Sequence, residues 1–244
     1  MNGRNGFALL AVLWVVVALA AVAAGAVELA RADAAVTGDR TRLMRGRWAA
    51  EACLAVAQSR MEAALRDGAA FAPPPLDTLS FANGARCATV AFDPAARLNI
   101  DSASVGMRAR FDTARAAYDR APEAGLDTLT TSYGDGRVNV NAAAPAVLAA
   151  LPAFDAEVLR VIAESRTWHR PLADLQDLLS RLAPAQRARL LDHYPELAGL
   201  TAFRAAALVL SAHGWVDGAR PEAVIEVLAV NGGARVAIVQ RRMW

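Results

Sequence analysis

Cys53 and Cys87 are the two thiols of the chain, and neither has a His or a second Cys at the spacing of a metal or redox site. Their chemistry is therefore structural: one disulfide, if this part of the chain is exported to an oxidising compartment, or two buried free thiols. His169, His193 and His213 are scattered. Ser211-Ala-His213 is not a nucleophile motif, and no Ser-His-acid or two-His spacing is legible. Asp93, Asp101 and Asp135 are the notable acidic positions, and their spacing is not that of an EF-hand loop. The chain reads as nonenzymatic, with no catalytic residues and no assignable metal ligands.

The stretch that positions everything else is Phe7 to Val27, an apolar run of Ala, Val and Leu with Trp14 and no charge. At about 1.5 Å of rise per residue it crosses a hydrocarbon core of about 30 Å, and a helix satisfies its own backbone groups in lipid. Ala23-Ala24-Gly25 offers a secretory cleavage site, but the apolar run is long for a cleaved signal. The other cut lies between Gly6 and Phe7, after a six-residue leader whose charged side chain is Arg4. That leader, followed by Phe7 and an uninterrupted apolar helix, resembles a type IV prepilin signal. The resemblance implies removal of 1–6 by a prepilin peptidase, methylation of Phe7, and retention of the helix as anchor and filament core. Most pilin-like subunits carry Glu at the fifth mature position, and here that position is Ala11. A carboxylate within the membrane is costly unless paired, and the family pairs it with the amine of the subunit above. Its absence is a trait of the K-type minor pseudopilins of type II secretion systems, which are placed at the filament tip. Arg4 before the run is balanced by Arg31, Arg40, Arg42, Arg45 and Arg47 after it, so charge leaves the orientation open. The resemblance places the anchor in the bacterial inner membrane as a single pass, with the C-terminal domain periplasmic.

The 244 residues suffice for one or two globular units beyond the anchor. All the basic residues are Arg, and the net charge of +2 gives little reach toward nucleic acid or anionic lipid.

Beyond Glu28 the helical pattern continues to about Arg66, as one helix or as two separated near Gly38. Leu29, Val36 and Leu43 recur every seven residues, and Trp48, Leu54, Met61 and Leu65 extend an apolar stripe. Asp67-Gly68 and Pro73-Pro74-Pro75 stop the helix. Arg86 to Phe92 alternates as a strand, Asp93-Pro94 turns, and Arg97 to Asp101 is a short strand or bend. If that first strand packs on the helix, Cys87 approaches Cys53. Met107 to Arg120 is a helix, 137–141 is extended, and 144–151, 155–165, 172–182 and 184–193 are short helices punctuated by proline. Phe203 to Trp215, Glu222 to Val230 and Ala234 to Arg241 read as three antiparallel strands, joined by Asp217-Gly218 and Asn231-Gly232-Gly233. Arg241 to Trp244 ends that strand or protrudes as a tail.

Val138-Asn-Val-Asn-Ala-Ala-Ala-Pro-Ala-Val-Leu-Ala-Ala-Leu151 is similar to the opening of helix-hairpin-helix units, with Asn141 placed to cap the next helix. Leu151 to Ile162 and Pro171 to Leu179 complete that resemblance. The same opening occurs in K-type minor pseudopilins, whose helical domain is inserted in the pilin sheet, and Arg97-Leu98-Asn99 resembles the phrase preceding that insertion. The competing reading is a membrane-anchored, competence-type DNA-binding protein. Its hairpins use a Gly-x-Gly to approach phosphate, whereas Pro152-Ala153-Phe154-Asp155 has no Gly and an acid that repels phosphate. Arg160, Arg166, Arg170 and Arg181 are matched by Glu157, Glu164, Asp174 and Asp177, so no basic face results.

The resemblance implies an α+β pilin-like fold: a long N-terminal helix, half transmembrane and half stem, packed on a small antiparallel sheet with an inserted α-helical domain. Residues 1–6 are the leader, 7–27 the transmembrane half and 28–67 the stem. Residues 68–101 begin the β domain, 102–199 are the insertion and 200–244 the closing strands; little chain lies between Asp101 and Gly136, so the insertion is short for that family. The function implied is a minor pseudopilin that caps the periplasmic pseudopilus and starts its assembly. Its partners are other minor pseudopilins, the prepilin peptidase and the inner membrane, with no nucleic acid. Calcium binding near the acidic positions is a further implication, without assignable ligands.

Overall fold

The computed structural model describes residues 3–75, 78–118, 126–216, 223–233 and 235–244. Its first element is one unbroken helix, α1 (Gly3–Arg66), so no break occurs at Gly38. Gly68, at φ +79°, ends it by adopting the left-handed conformation that caps helices without a Cβ penalty. Two strands follow, β1 (Thr78–Ser80) and β2 (Ala85–Phe92), then a 3-10 turn over Pro94–Ala96. The next segment holds β3 (Leu98–Asn99), α2 (Val105–Tyr118), α3 (Leu126–Leu129), β4 (Thr130–Thr131) and β5 (Val138–Asn139). It continues through α4 (Pro145–Leu148), α5 (Ala156–Thr167), α6 (Leu175–Ser180), α7 (Pro184–Asp192), α8 (Tyr194–Leu200) and β6 (Thr201–Ala202). The chain closes with β7 (Ala207–Val216), β8 (Ala223–Asn231) and β9 (Val236–Met243).

Strands β1, β2, β7, β8 and β9 lie in that order in one antiparallel sheet. The register between β2 and β7 runs from Ala85 opposite Val216 to Phe92 opposite Val209. The chain therefore leaves the sheet at Phe92, builds the helical unit, and returns beside the strand it left. Two cores result. One joins α1 to the sheet through Leu54, Met61, Leu208, Leu210, Ile225 and Val227, among others. The second is internal to the helical unit, around Met107, Phe111, Val147, Leu151, Ile162, Leu178 and Leu197. Two parallel bridges, β3 with β4 and β5 with β6, close that unit on itself.

The expected stripe on α1 is corrected in part. Leu54 and Met61 are buried and Leu65 is half-buried, but Leu29, Val36, Leu43 and Trp48 are exposed. The first three share a face with Ala50 and Ala57, which are buried, but the sheet reaches only to Gly46 and covers nothing above it. Trp48 lies about 200° around the helix from Ala50 and points away. The covered face is built of small residues, Gly46, Ala49, Ala50, Cys53 and Ala57, because helix and sheet backbones approach closely there. A Cβ on Gly214 would lie 1.9 Å from the Gly46 carbonyl oxygen and 2.7 Å from the Ala50 nitrogen.

At the far edge, Trp244 donates its N–H to the Val224 carbonyl and accepts from the Val224 N–H, so the C-terminus is paired strand rather than tail. The expected Asp217-Gly218 turn lies outside the described residues.

Candidate functional site

Three parts of the molecule carry the residues singled out by sequence. The first is the exposed half of α1. Gly6, Phe7 and Ala11 lie on its backbone. From Val12 to Arg45 no residue is buried, although a window of this stretch reaches a mean hydropathy of 2.4. A helix that is apolar all round and uncovered by its own protein is long and greasy enough to cross a membrane. That is a statement of length and composition.

The second part is the junction of stem and sheet. Cys53 on α1 and Cys87 on β2 form a disulfide, held where the small-residue face of the helix meets the strand. About two and a half turns further along α1, Glu62 accepts the N–H of Val236 at the start of β9 (3.1 Å), and also the side-chain amide of Gln58. The Val236 N–H, then Gln58, hold the Glu62 carboxyl below its ordinary range. Arg241 on β9 pairs with Glu51. Disulfide, carboxylate and ion pair thus tie the stem to a central strand and to the sheet's edge.

The third part is the helical unit and its contact with the sheet. Asn141 does not cap the following helix; its N-cap position is Ala144, which makes no side-chain bond. Instead the Asn141 oxygen accepts the Leu172 N–H (2.9 Å), and its amide donates to the carbonyls of Leu172 and Phe203 (2.8 Å each). One side chain so completes two backbone segments that would otherwise be unpaired inside the fold. The cap one helix later is Asp155, which accepts from Glu157 and Val158 N–H groups at 3.1 Å and pairs with Arg189 at 3.0 Å.

Of the four arginines weighed from sequence, Arg160, Arg166 and Arg181 are held from within, while Arg170 is exposed. Arg160 bonds Glu157 and Glu164, and Arg181 forks onto Asp177. Arg166 donates to the carbonyls of Val140 and Ala143 at 2.7 Å, and burial pushes its pKa down. The hairpin residue Ala153 takes a positive φ of 56°, a tight turn made without the glycine that a close phosphate approach uses.

Ser211 Oγ and His213 Nε2 are 3.2 Å apart on β7, while His193 lies 3.6 Å from Glu196 on α8. Among the described residues no three His, Cys, Asp or Glu side chains gather at a potential metal site. Asp135 is taken up by Arg137, which it meets through both backbone N–H and guanidinium. Asp93 is buried, with its oxygens on the Ala95 N–H (2.9 Å) and the Asn139 amide (2.6 Å). Desolvation raises its pKa against those two bonds.

Sequence reasoning missed the Gly46–Gly214 contact, Glu62, and a bridge from Tyr133 to Glu226 on β8, with Arg242 of β9 stacked 5.0 Å over the ring. Burial first, and Glu226 next, push the Tyr133 hydroxyl up to about 12. A glycine within an alternating strand is a sign of close backbone approach, and Gly214 could have been found that way. The others depend on tertiary proximity.

A helix of this length laid on an antiparallel sheet, with its apolar end bare and a helical unit inserted between neighbouring strands, is a pilin-like α+β architecture. No protein-family profile matches the chain, and no curated protein sequence does. Among solved structures it is similar to a chain in the crystal structure of the GspK-GspI-GspJ complex from the enterotoxigenic Escherichia coli type 2 secretion system. The TM-score is 0.56 at 12% identity, covering 82% of this chain and 96% of that one. The fold is thus that of the minor pseudopilins of type II secretion.

Proposed function

We propose that the chain is a K-type minor pseudopilin of a type II secretion system, a nonenzymatic subunit that caps the periplasmic pseudopilus and starts its assembly. The observation that carries this reading is the pairing of a bare apolar helix end with a helical unit inserted between adjacent strands of one sheet. The first supplies an anchor in the inner membrane; the second places bulk on the globular end, where it obstructs a subunit stacking above. Ala11 supports the tip position, because a subunit with none above it has no amine to neutralise a carboxylate in lipid. The similar structure is a complex of three proteins, and sibling minor pseudopilins are the partners this reading requires. Nucleic acid is not among them in this reading: Arg160, Arg166 and Arg181 are engaged by the fold's own acceptors, so that exposed Arg170 has no basic face around it. Calcium is not required for the reading.

The test is to isolate the protein from cells holding the secretion system and its prepilin peptidase, and to read its N-terminus by mass spectrometry. A methylated N-terminus at Phe7, with sibling minor pseudopilins in the same complex, is expected. An intact Met1, or a monomer beside its siblings, refutes the proposal.

A further inference from the structure

A cavity of about 550 Å³ lies where the helical unit meets the face of the sheet turned away from α1. Leu228 and Val230 of β8 form one wall with Phe203, and the loop 133–137 forms another. The bridge from Tyr133 to Glu226 spans from that loop to the sheet. Asp93 is part of the lining and is only 8% exposed. Size and chemistry, apolar walls with a few convergent polar groups, are those of ligand pockets.

Asp93 is the informative residue. It caps the 3-10 turn through one oxygen, accepting from Ala95, a task asparagine does equally well. Its other oxygen meets the neutral amide of Asn139. No salt bridge to it occurs among the described residues, although a buried carboxylate is costly without a counter-charge. Arg97 stacks 3.6 Å over the Phe92 ring; Arg137 and Arg204 also line the cavity, but Arg137 pairs with Asp135 and Arg204 is exposed at the solvent side. Two neutral donors leave acceptor capacity on a carboxylate that has about four lone-pair sites.

We propose that this cavity binds an organic cation on an apolar stem, the arginine or lysine side chain of a peptide segment, with Asp93 as its counter-ion. The stem and a neighbouring apolar side chain lie against Leu228, Val230 and Phe203, and the cation completes the charge pairing of Asp93. The inference is independent of the secretion assignment and holds or fails without it.

The experiment is calorimetric titration of the full chain in detergent micelles with N-acetyl-phenylalanyl-arginine amide. Its citrulline analogue, which keeps the shape and removes the charge, and calcium chloride are the comparison ligands. The arginine peptide is expected to bind, and the citrulline analogue and Asp93→Asn each to weaken it by about tenfold or more. Ala206→Trp, at an exposed position on the cavity's rim, leaves the bonds of Asp93 untouched and is expected to abolish binding by filling the mouth. It guards against loss of fold in the Asn variant. No heat from the arginine peptide, equal affinity for citrulline, unchanged binding in Ala206→Trp, or calcium displacing the peptide at lower concentration than the peptide itself needs would each overturn the proposal.

Discussion

Gly214→Ala is the sharpest test of how the stem is seated. The new Cβ would lie 1.9 Å from the Gly46 oxygen, 2.7 Å from the Ala50 nitrogen and 2.9 Å from the Gly46 carbonyl carbon. All three are backbone atoms of α1, and none can rotate away as a side-chain tip would, so helix and sheet must separate. Overpacking costs about 1–3 kcal/mol, and a rigid obstacle places this case at the upper end. Removing a glycine from the unfolded chain returns about 0.4–1 kcal/mol. The net is a loss of about 2–3 kcal/mol, or about 5–10 °C in Tm for a chain of this size. Gly46→Ala faces a milder contact, 2.8 Å to the Gly214 oxygen, and gains about 1 kcal/mol of helix propensity, so its loss is smaller. Gly38 meets nothing within 4 Å, and Gly38→Ala keeps the whole gain of about 1 kcal/mol. Thermal unfolding of the full chain in detergent, followed by tryptophan fluorescence, should rank Gly38→Ala, wild type, Gly46→Ala and Gly214→Ala in falling order. A Gly214→Ala protein as stable as wild type would show that α1 does not rest on β7 at backbone distance.

Replacing both half-cystines, Cys53→Ala with Cys87→Ala, opens a cross-link spanning 34 residues and should cost about 4 kcal/mol by chain entropy; an unchanged denaturant midpoint speaks against the bridge. Two carboxylates should tilt the pH dependence of stability in opposite senses. Glu62 has its folded pKa depressed below 4.5, so its contribution is present above that value and is lost as pH falls through the folded pKa; Glu62→Gln should flatten the acid limb. Asp93 has its folded pKa raised above 3.8, so the folded chain holds that proton more tightly and stability is lost as pH rises from 3.8 through the raised value. Asp93→Asn should remove that loss, and unfolding midpoints measured from pH 3 upward (about the range that brackets both groups) that move in the same sense for both variants refute the assignment.

The parts of the fold legible in sequence were those written in local pattern. The apolar run from Phe7, the alternation from Arg86 to Phe92, and the apolar strand Glu222–Val230 each encode an element by period and composition alone. The prolines at 152, 171, 184 and 195 punctuate the short helices, and 184–193 coincides with α7, but α8 (Tyr194–Leu200), which begins directly after it at His193, is not read from the pattern. The direction faced by a residue was less legible. The heptad Leu29, Val36 and Leu43 is a stripe in register with Ala50, yet where the covering sheet stops is a property of β2 and β7, not of the helix. Asn141 shows the same limit: its position before a helix suggests a cap, while the Leu172 N–H, distant in sequence, claims the oxygen a cap would use.

The division into two cores separates what depends on the stem from what does not. The sheet core depends on α1 for Leu54 and Met61, so the stem cannot leave the sheet without unfolding it. The buried core of the helical unit comes from residues 98–197, and the unit meets the sheet through the Tyr133 to Glu226 bridge and around the cavity walled by Phe203, Leu228 and Val230. The stem is tied to β2 through the disulfide and to β9 through Glu62 and Arg241, and it lies on β7 at Gly214. On the covered face of α1 the small residues Gly46, Ala49, Ala50, Cys53 and Ala57 let the helix pack most tightly where it leaves its bare segment and first becomes part of the domain.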